Sequence, residues 1–322
     1  MPQSSIYYAL GRLSVLGKDM LDQSRIDRLL QADGKDEALA VLADFGWPVA
    51  EGFEKAADEH MLQAVKLVKS ITTDPEAVDC FLLRYDINNL KILIKSRCLN
   101  TEYGMLSECG TLDRDLLIHA VAEHSYGKLP AYLAEAMNKV EKLLSQKTDP
   151  LEIDLILDRV MYETVFAKYA KKVSPVKTYF TVRADILNLI ACLRALHMKK
   201  PASFIERVLL PYGTQTKAEW LKMCEKPEKL PLSVNCYGSG VYRAAIAAQM
   251  DRKKLPALEK AADDYLMSIF RPYGRDTDRP ERILCYLLSR ERETGAVRLI
   301  MTGKVNGFDS ETIRERLREV YA

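Results

Sequence analysis

The feature that most constrains this chain is an internal repeat. Glu54-Lys55-Ala56-Ala57-Asp58 recurs as Glu259-Lys260-Ala261-Ala262-Asp263, and a related stretch begins near Leu157-Asp158. Seventeen residues after Asp58, Asp158 and Asp263 come Pro75, Pro175 and Pro280, spaced 100 and then 105 residues apart. Beyond the first two prolines lies a shared pattern, Phe-x-x-Arg-x-Asp-x-x-Asn-Leu. It reads Phe81, Arg84, Asp86, Asn89, Leu90 in one copy and Phe180, Arg183, Asp185, Asn188, Leu189 in the other. The third copy, Tyr286-Leu-Leu-Ser-Arg290-Glu291-Arg-Glu293, is degraded: Glu291 or Glu293 takes the acidic place and no Asn follows. A fixed period of this kind implies stacked units of similar structure.

The periodicity is helical. Phe53, Ala57, Met61, Ala64 and Val68 follow the spacing of a buried helix stripe, and Leu83, Ile87, Leu90 and Ile94 repeat it after Pro75. Ile186, Leu189 and Leu193 do the same in the second copy. A proline between two stripes lacks an N–H and disfavours helix at the preceding residue, so each unit reads as helix, Pro-containing turn, helix. Shorter helices are expected around Arg114–Ala122 and Thr312–Val320. No sustained alternation suggests a sheet, so the fold class is all-α. The expected division is an N-terminal half unit over 1–52, then units over 53–152, 153–257 and 258–322. Ile26-Asp27-Arg28-Leu29-Leu30 resembles Leu112-Asp113-Arg114-Asp115-Leu116-Leu117, so the half unit is expected to pack near the C-terminal one.

Composition narrows the function classes. The 322 residues are 48% hydrophobic and 29% charged with a net charge of +2, an ordinary globular balance with no strong field for nucleic acid or anionic lipid. The longest stretch without Asp, Glu, Lys or Arg, Leu230–Tyr242, contains Pro231, Gly238 and Gly240. It falls well short of the ~20 residues of a spanning helix. With no basic-then-apolar run at the start, a cytoplasmic protein is expected. The seven cysteines are odd in number and none lies within four positions of another, a pattern that suits reduced, mostly buried thiols better than a disulfide framework or a zinc site.

On a helix, Asp86 and Asn89 share a face with Leu82 and Leu93, and Asp185 and Asn188 with Val182 and Cys192. Such a carboxylate–amide pair either bonds backbone groups or a packed Arg, or serves as a metal or catalytic acid site. A device that occurs twice is better explained by packing. His60, His119, His124 and His197 form no metal-binding helix spacing. Gly238-Ser-Gly240-Val-Tyr-Arg243 has Arg where a dinucleotide loop needs its third glycine, and reads as a turn. No P-loop is present. Asp263-Asp264-Tyr-Leu-Met267 resembles the Asp-Asp-x-x-Asp of helical isoprenoid synthases but lacks the third Asp. Lys66, Lys69, Lys91 and Lys95 read as solvated helix faces. No catalytic, cofactor-binding or metal residue is assigned.

Taken together, the Arg84–Asp86–Asn89-Leu90 and Arg183–Asp185–Asn188-Leu189 helices resemble those of the C subunits of bacterial and archaeal V/A-type ATPases, a family that includes the d subunit of the eukaryotic vacuolar enzyme. So do the run Arg290-Glu-Arg-Glu293, Val297-Arg-Leu-Ile300, Gly303-Lys304, Ile313, Leu317, Tyr321 and the start at Tyr7-Tyr8-Ala9-Leu10-Gly11-Arg12. The resemblance implies three helical domains about a pseudo-threefold axis, forming a funnel. It implies a rotor part without an active site, one copy per complex, seated between the central-shaft subunits (D and F type) and the membrane proteolipid ring. ATP hydrolysis or synthesis would thereby be linked to H+ or Na+ transport. The alternative is a helical-repeat adaptor unrelated to ATPases, which would form an open solenoid.

Overall fold

The computed structural model describes residues 5–146, 149–169 and 174–320. Tyr321 therefore lies outside the described residues. Among them the chain is all-α: fifteen α-helices and several short 3-10 segments, with no strand. The helices fall into two compact units, one built from Met1–Pro75 and Pro227–Ala322 and the other from Glu76–Lys226.

The first unit holds α1 (Ile6–Leu16), α2 (Gln23–Gln31), α3 (Gly34–Asp44) and α4 (Phe53–Ile71). The second holds α5 (Pro75–Leu99), α6 (Arg114–Ala122), α7 (Ala131–Leu144), α8 (Pro150–Tyr169), α9 (Pro175–His197), α10 (Ala202–Val208) and α11 (Lys217–Cys224). The chain then returns to the first unit with α12 (Gly238–Met250), α13 (Leu255–Ser268), α14 (Glu281–Val305) and α15 (Ser310–Arg316).

In the first unit, α14 packs on α4, α3 and α1. N-terminal residues Leu21, Ile26, Leu29, Leu30 and Trp47 share one core with Val297, Ile300, Met301 and Ile313. Polar contacts fasten this junction. Lys304 Nζ and Ser310 Oγ both donate to the carbonyl of Leu30, at 3.0 and 2.6 Å, and Lys304 also reaches the carbonyl of Ala32. The ammonium group therefore sits on the carbonyl end of α2, where a cation is favoured. In the second unit, Phe81, Tyr162, Tyr179 and Phe180 form an aromatic cluster with ring centroids 5.1–6.0 Å apart.

The prolines act as the sequence indicates. Pro75 and Pro175 are the first residues of α5 and α9, and Pro280 directly precedes α14. At α9 the Ser174 hydroxyl accepts from the N–H of Lys177 at 3.2 Å, capping the helix. These three helices also end alike, with a left-handed residue just beyond the last turn. Asn100 has φ 51°, Lys199 φ 53° and Gly307 φ 69°. The next amide then bonds back across the turn, from Thr101 to Ser96, Lys200 to Ala195 and Phe308 to Gly303, at 2.9–3.0 Å.

Three expectations need correction. Gly238–Arg243 is the first turn and a half of α12; Gly238, at φ +87°, turns the chain out of the preceding 3-10 segment into that helix. Lys91 and Lys95 are only partly exposed, and their ammonium groups bond Asp158 and Asp154 of α8 at 2.6 Å. The last helix stops at Arg316 because the following residues are tied to α13. Arg318 Nε donates to Asp263 at 2.7 Å, and the Glu319 N–H donates to Asp264 at 3.2 Å.

Candidate functional site

The repeated polar pair is where the structure concentrates its buried charge. Asp86 and Asn89 on α5 are 0% and 1% exposed, and Asp185 and Asn188 on α9 are likewise 0% and 1%. Burial of a carboxylate is tolerated only with donors around it. In both copies a loop downstream on the chain supplies donors, from its backbone amides and a threonine hydroxyl.

On α5, the Asn89 side chain brackets Ser107: its amide donates to the Ser107 carbonyl at 2.8 Å and its oxygen accepts the Ser107 N–H at 2.9 Å. Asp86 accepts the N–H and hydroxyl of Thr111 at 2.8 and 2.6 Å, and the N–H of Leu112 at 3.2 Å. The next residue, Asp113, caps α6 by accepting from Asp115 and Leu116. On α9 the arrangement recurs. Asn188 brackets Leu210 at 3.0 and 2.7 Å. Asp185 accepts the N–H and hydroxyl of Thr214 at 2.9 and 2.7 Å. Thr216 then opens α11 through a reciprocal capping box with Glu219. The loop is four residues longer in this copy, and α10 occupies part of it.

Each loop approaches its carboxylate so closely that only glycine fits before the threonine. A Cβ on Gly110 would lie 2.0 Å from Asp86 Oδ1, and one on Gly213 would lie 2.1 Å from Asp185 Oδ1. These Gly-Thr pairs are a sequence signal that the repeat reading passes over. They stand in the loops beyond the recognised pattern and at unequal distances from it.

On α14 another pair three residues apart does comparable work. Arg290 and Glu293 are 5% and 1% exposed. Arg290 Nη2 donates to the Leu16 carbonyl at 3.0 Å, and Glu293 Oε1 accepts the Leu21 N–H at 2.9 Å. The two side chains pair at 2.8 Å. The residue after Leu21, Asp22, caps α2 by accepting from Arg25 at 2.8 Å. Here the clasped backbone comes from the N-terminal segment. His60 of α4 adds its Nε2 at 3.1 Å from Arg290 Nη1, with its ring stacked on Trp47 at 4.0 Å. Burial on its own would raise the Glu293 pKa. The His60 hydrogen bond and the Arg290 charge outweigh it and hold the carboxyl below its ordinary range. His60 could not have been tied to Glu293 from sequence, since 233 residues separate them.

The remaining candidates resolve into structural contacts. Asp263 and Asp264 hold the C-terminal segment, and burial, opposed by Arg292, raises the Asp264 pKa. His124 sits 3.2 Å from Glu141, which also pairs with Arg97 at 2.7 Å. Among the described residues no cluster of His, Cys, Asp or Glu could hold a metal ion, and no helix is long and apolar enough to cross a membrane.

Comparison with known proteins decides the family. The chain matches the ATP synthase (C/AC39) subunit family over residues 9–316. It belongs to that family. It is 23% identical over 317 residues to the C subunit of the V-type sodium ATPase of Enterococcus hirae, covering 94% of this chain and 95% of that one. It is 26% identical over 252 residues to the C subunit of the A-type ATP synthase of Methanosarcina mazei, covering 74% and 68%. It is 24% identical over 310 residues to the corresponding A-type protein of Desulfurococcus sp. strain SY, covering 92% and 83%. The resemblance read from the repeated helices is thus to the family that nearly the whole chain matches. In this member of the C/AC39 family, each buried pair has backbone partners supplied by the protein itself.

The clamp geometry makes two outcomes measurable. Gly213→Ala forces a methyl into Asp185 and should destabilise the chain by about 1–3 kcal/mol. Gly127→Ala, on an exposed turn with nothing within 4 Å, should stay within about 0.5 kcal/mol. Urea unfolding of both variants checks this, and equal midpoints would contradict it. The second outcome concerns pH. Glu293 has a lowered folded pKa, so its contribution is full above the ordinary glutamate value of about 4.3. That contribution is lost as pH falls through the folded value. Glu293→Gln should be less stable than the parent at neutral pH, and the gap should close on acidification. A gap that is constant from neutral pH into acid would refute the assignment.

Proposed function

We propose that this chain is the non-catalytic rotor coupler of a V/A-type ATPase or ATP synthase. It sits as one copy on the cytoplasmic face of the membrane, between the central-shaft subunits (D and F type) and the proteolipid ring. Torque passing through it links ATP hydrolysis or synthesis to H+ or Na+ transport. The reading rests above all on the family match over residues 9–316. The relatives' names, one from a V-type sodium ATPase and two from A-type ATP synthases, support it.

The physical features suit that role. A torque coupler must resist shear, and close-packed helical cores transmit strain rather than absorb it. The three longest helices, α5, α9 and α14, each carry a buried pair that fastens a separate stretch of backbone. These fastenings fix loops that would otherwise be soft points. In keeping with three tandem units, we take α5, α9 and α14 as the equivalent helices of a pseudo-threefold, funnel-shaped body. Its N-terminal half unit (1–52) packs near the C-terminal unit, and the three repeat units run over 53–152, 153–257 and 258–322.

Reconstitution of the complete ATPase in vesicles, with and without this chain, tests the proposal. The expected result is ATP hydrolysis in both preparations and ATP-driven ion uptake only with the chain present. Undiminished uptake in its absence would overturn the coupling role.

A further inference from the structure

Helices α9 and α11 pack on each other, and they carry a cysteine pair that no part of the clamp uses. Cys192 lies one turn beyond Asn188 on α9 and is fully buried; Cys224 is the last residue of α11 and is half-buried. Both are free thiols, and their side chains lie close enough for each to alter the acidity of the other. The sequence separates them by 32 positions, so proximity could not be read from spacing.

Their places in the fold have counterparts. Cys192 follows the clamp residue Asn188 by four positions, as Leu93 follows Asn89 and Val297 follows Glu293. Cys224 follows the cap Thr216 by eight, as Val121 follows Asp113 and Leu30 follows Asp22. Leu93, Val121, Val297 and Leu30 are all buried apolar residues. Only in the α9–α11 clamp are both places filled by sulfur, where a covalent bond becomes possible.

We propose that Cys192 and Cys224 form a reversible disulfide in the presence of a peroxide, fastening the end of α11 to α9. The half-buried Cys224 meets the oxidant first. Its thiolate attacks the peroxide O–O bond, becomes a sulfenic acid and releases hydroxide. The Cys192 sulfur then attacks the Cys224 sulfur as its proton and the sulfenic hydroxyl leave as water. Two thiols and one hydrogen peroxide thus give one disulfide and two waters; a dithiol reductant reverses the bond. The order of reaction fits the local chemistry. The neighbouring Cys192 side chain lowers the Cys224 pKa against the opposing effect of burial, whereas the Cys224 side chain and burial push the Cys192 thiol up. Once closed, the bond would hold the Leu210–Thr216 loop between two fixed points: the Asp185–Asn188 clamp and the cross-link. This chemistry is independent of the coupling role.

The test uses the full-length chain treated with hydrogen peroxide, denatured in N-ethylmaleimide, digested and analysed by mass spectrometry without reduction. The expected product is the Cys192 peptide joined to the Cys224 peptide, two hydrogens lighter than their sum and separated by dithiothreitol. The oxidised chain should unfold at higher temperature, and dithiothreitol should remove that increase. Cys192→Ala should leave a dimedone-reactive sulfenic acid on Cys224. Recovery of Cys192 and Cys224 as free thiols while exposed Cys98 and Cys236 are oxidised would overturn the proposal. So would oxidation of Cys224 in the parent chain to sulfinic acid without a cross-link.

Discussion

A carboxylate buried in a helical core has to find hydrogen-bond donors, and Asp86 and Asp185 find them in the backbone of one glycine-threonine loop each. The core helix satisfies its own backbone, so backbone donors must come from a non-helical segment. That segment must come close, which excludes a side chain at Gly110 and Gly213. Once the loop is placed, the residues that follow, Asp113 and Thr216, sit where they cap α6 and α11. A single buried charge thus sets the path of the chain from the core helix to the next capped helix. The penalty for leaving it unpaired, several kcal/mol, makes that path hard to leave.

The α14 solution shows the same requirement met with different chemistry. An arginine and a glutamate replace aspartate and asparagine, and the clasped segment comes from the N-terminal helices. Because the fastening joins residues 272 positions apart, the first unit depends on contacts between the two ends of the sequence. The Lys304 and Ser310 contacts to Leu30 and the shared core of Leu29, Trp47, Val297 and Ile300 reinforce the same junction. For a member of the ATP synthase (C/AC39) subunit family, such fastenings stiffen each set of helices against local opening.

Much of the fold is legible from the sequence because helical periodicity and proline are local signals. Pro75, Pro175 and Pro280 mark helix starts, and the stripes through Ala57, Met61, Leu90 and Leu189 identify the buried faces. What the polar pairs bind is only half legible. Sequence indicates that Asp86 and Asn89 need backbone partners, but Ser107 and Thr111 lie a loop away. Only the Gly-Thr repeat, aligned across a four-residue length difference, would have pointed to them. Lys91 and Lys95 read as solvated because their partners Asp158 and Asp154 belong to another helix. His60 and the Cys192–Cys224 contact are invisible for the same reason: tertiary proximity leaves no periodic trace. Gly238 misleads because a left-handed glycine can open a helix as well as make a turn.

The buried Asp–Asn pairs lock the loop amides, and residue-resolved hydrogen–deuterium exchange on the full chain measures that locking directly. The amides of Ser107, Thr111, Leu210 and Thr214 lie outside any helix, yet their protection should be comparable to that of the cores of α5 and α9. Exchange at the rate of exposed turns such as Gly127 would contradict this, and with it the view of these pairs as the fastenings of the fold.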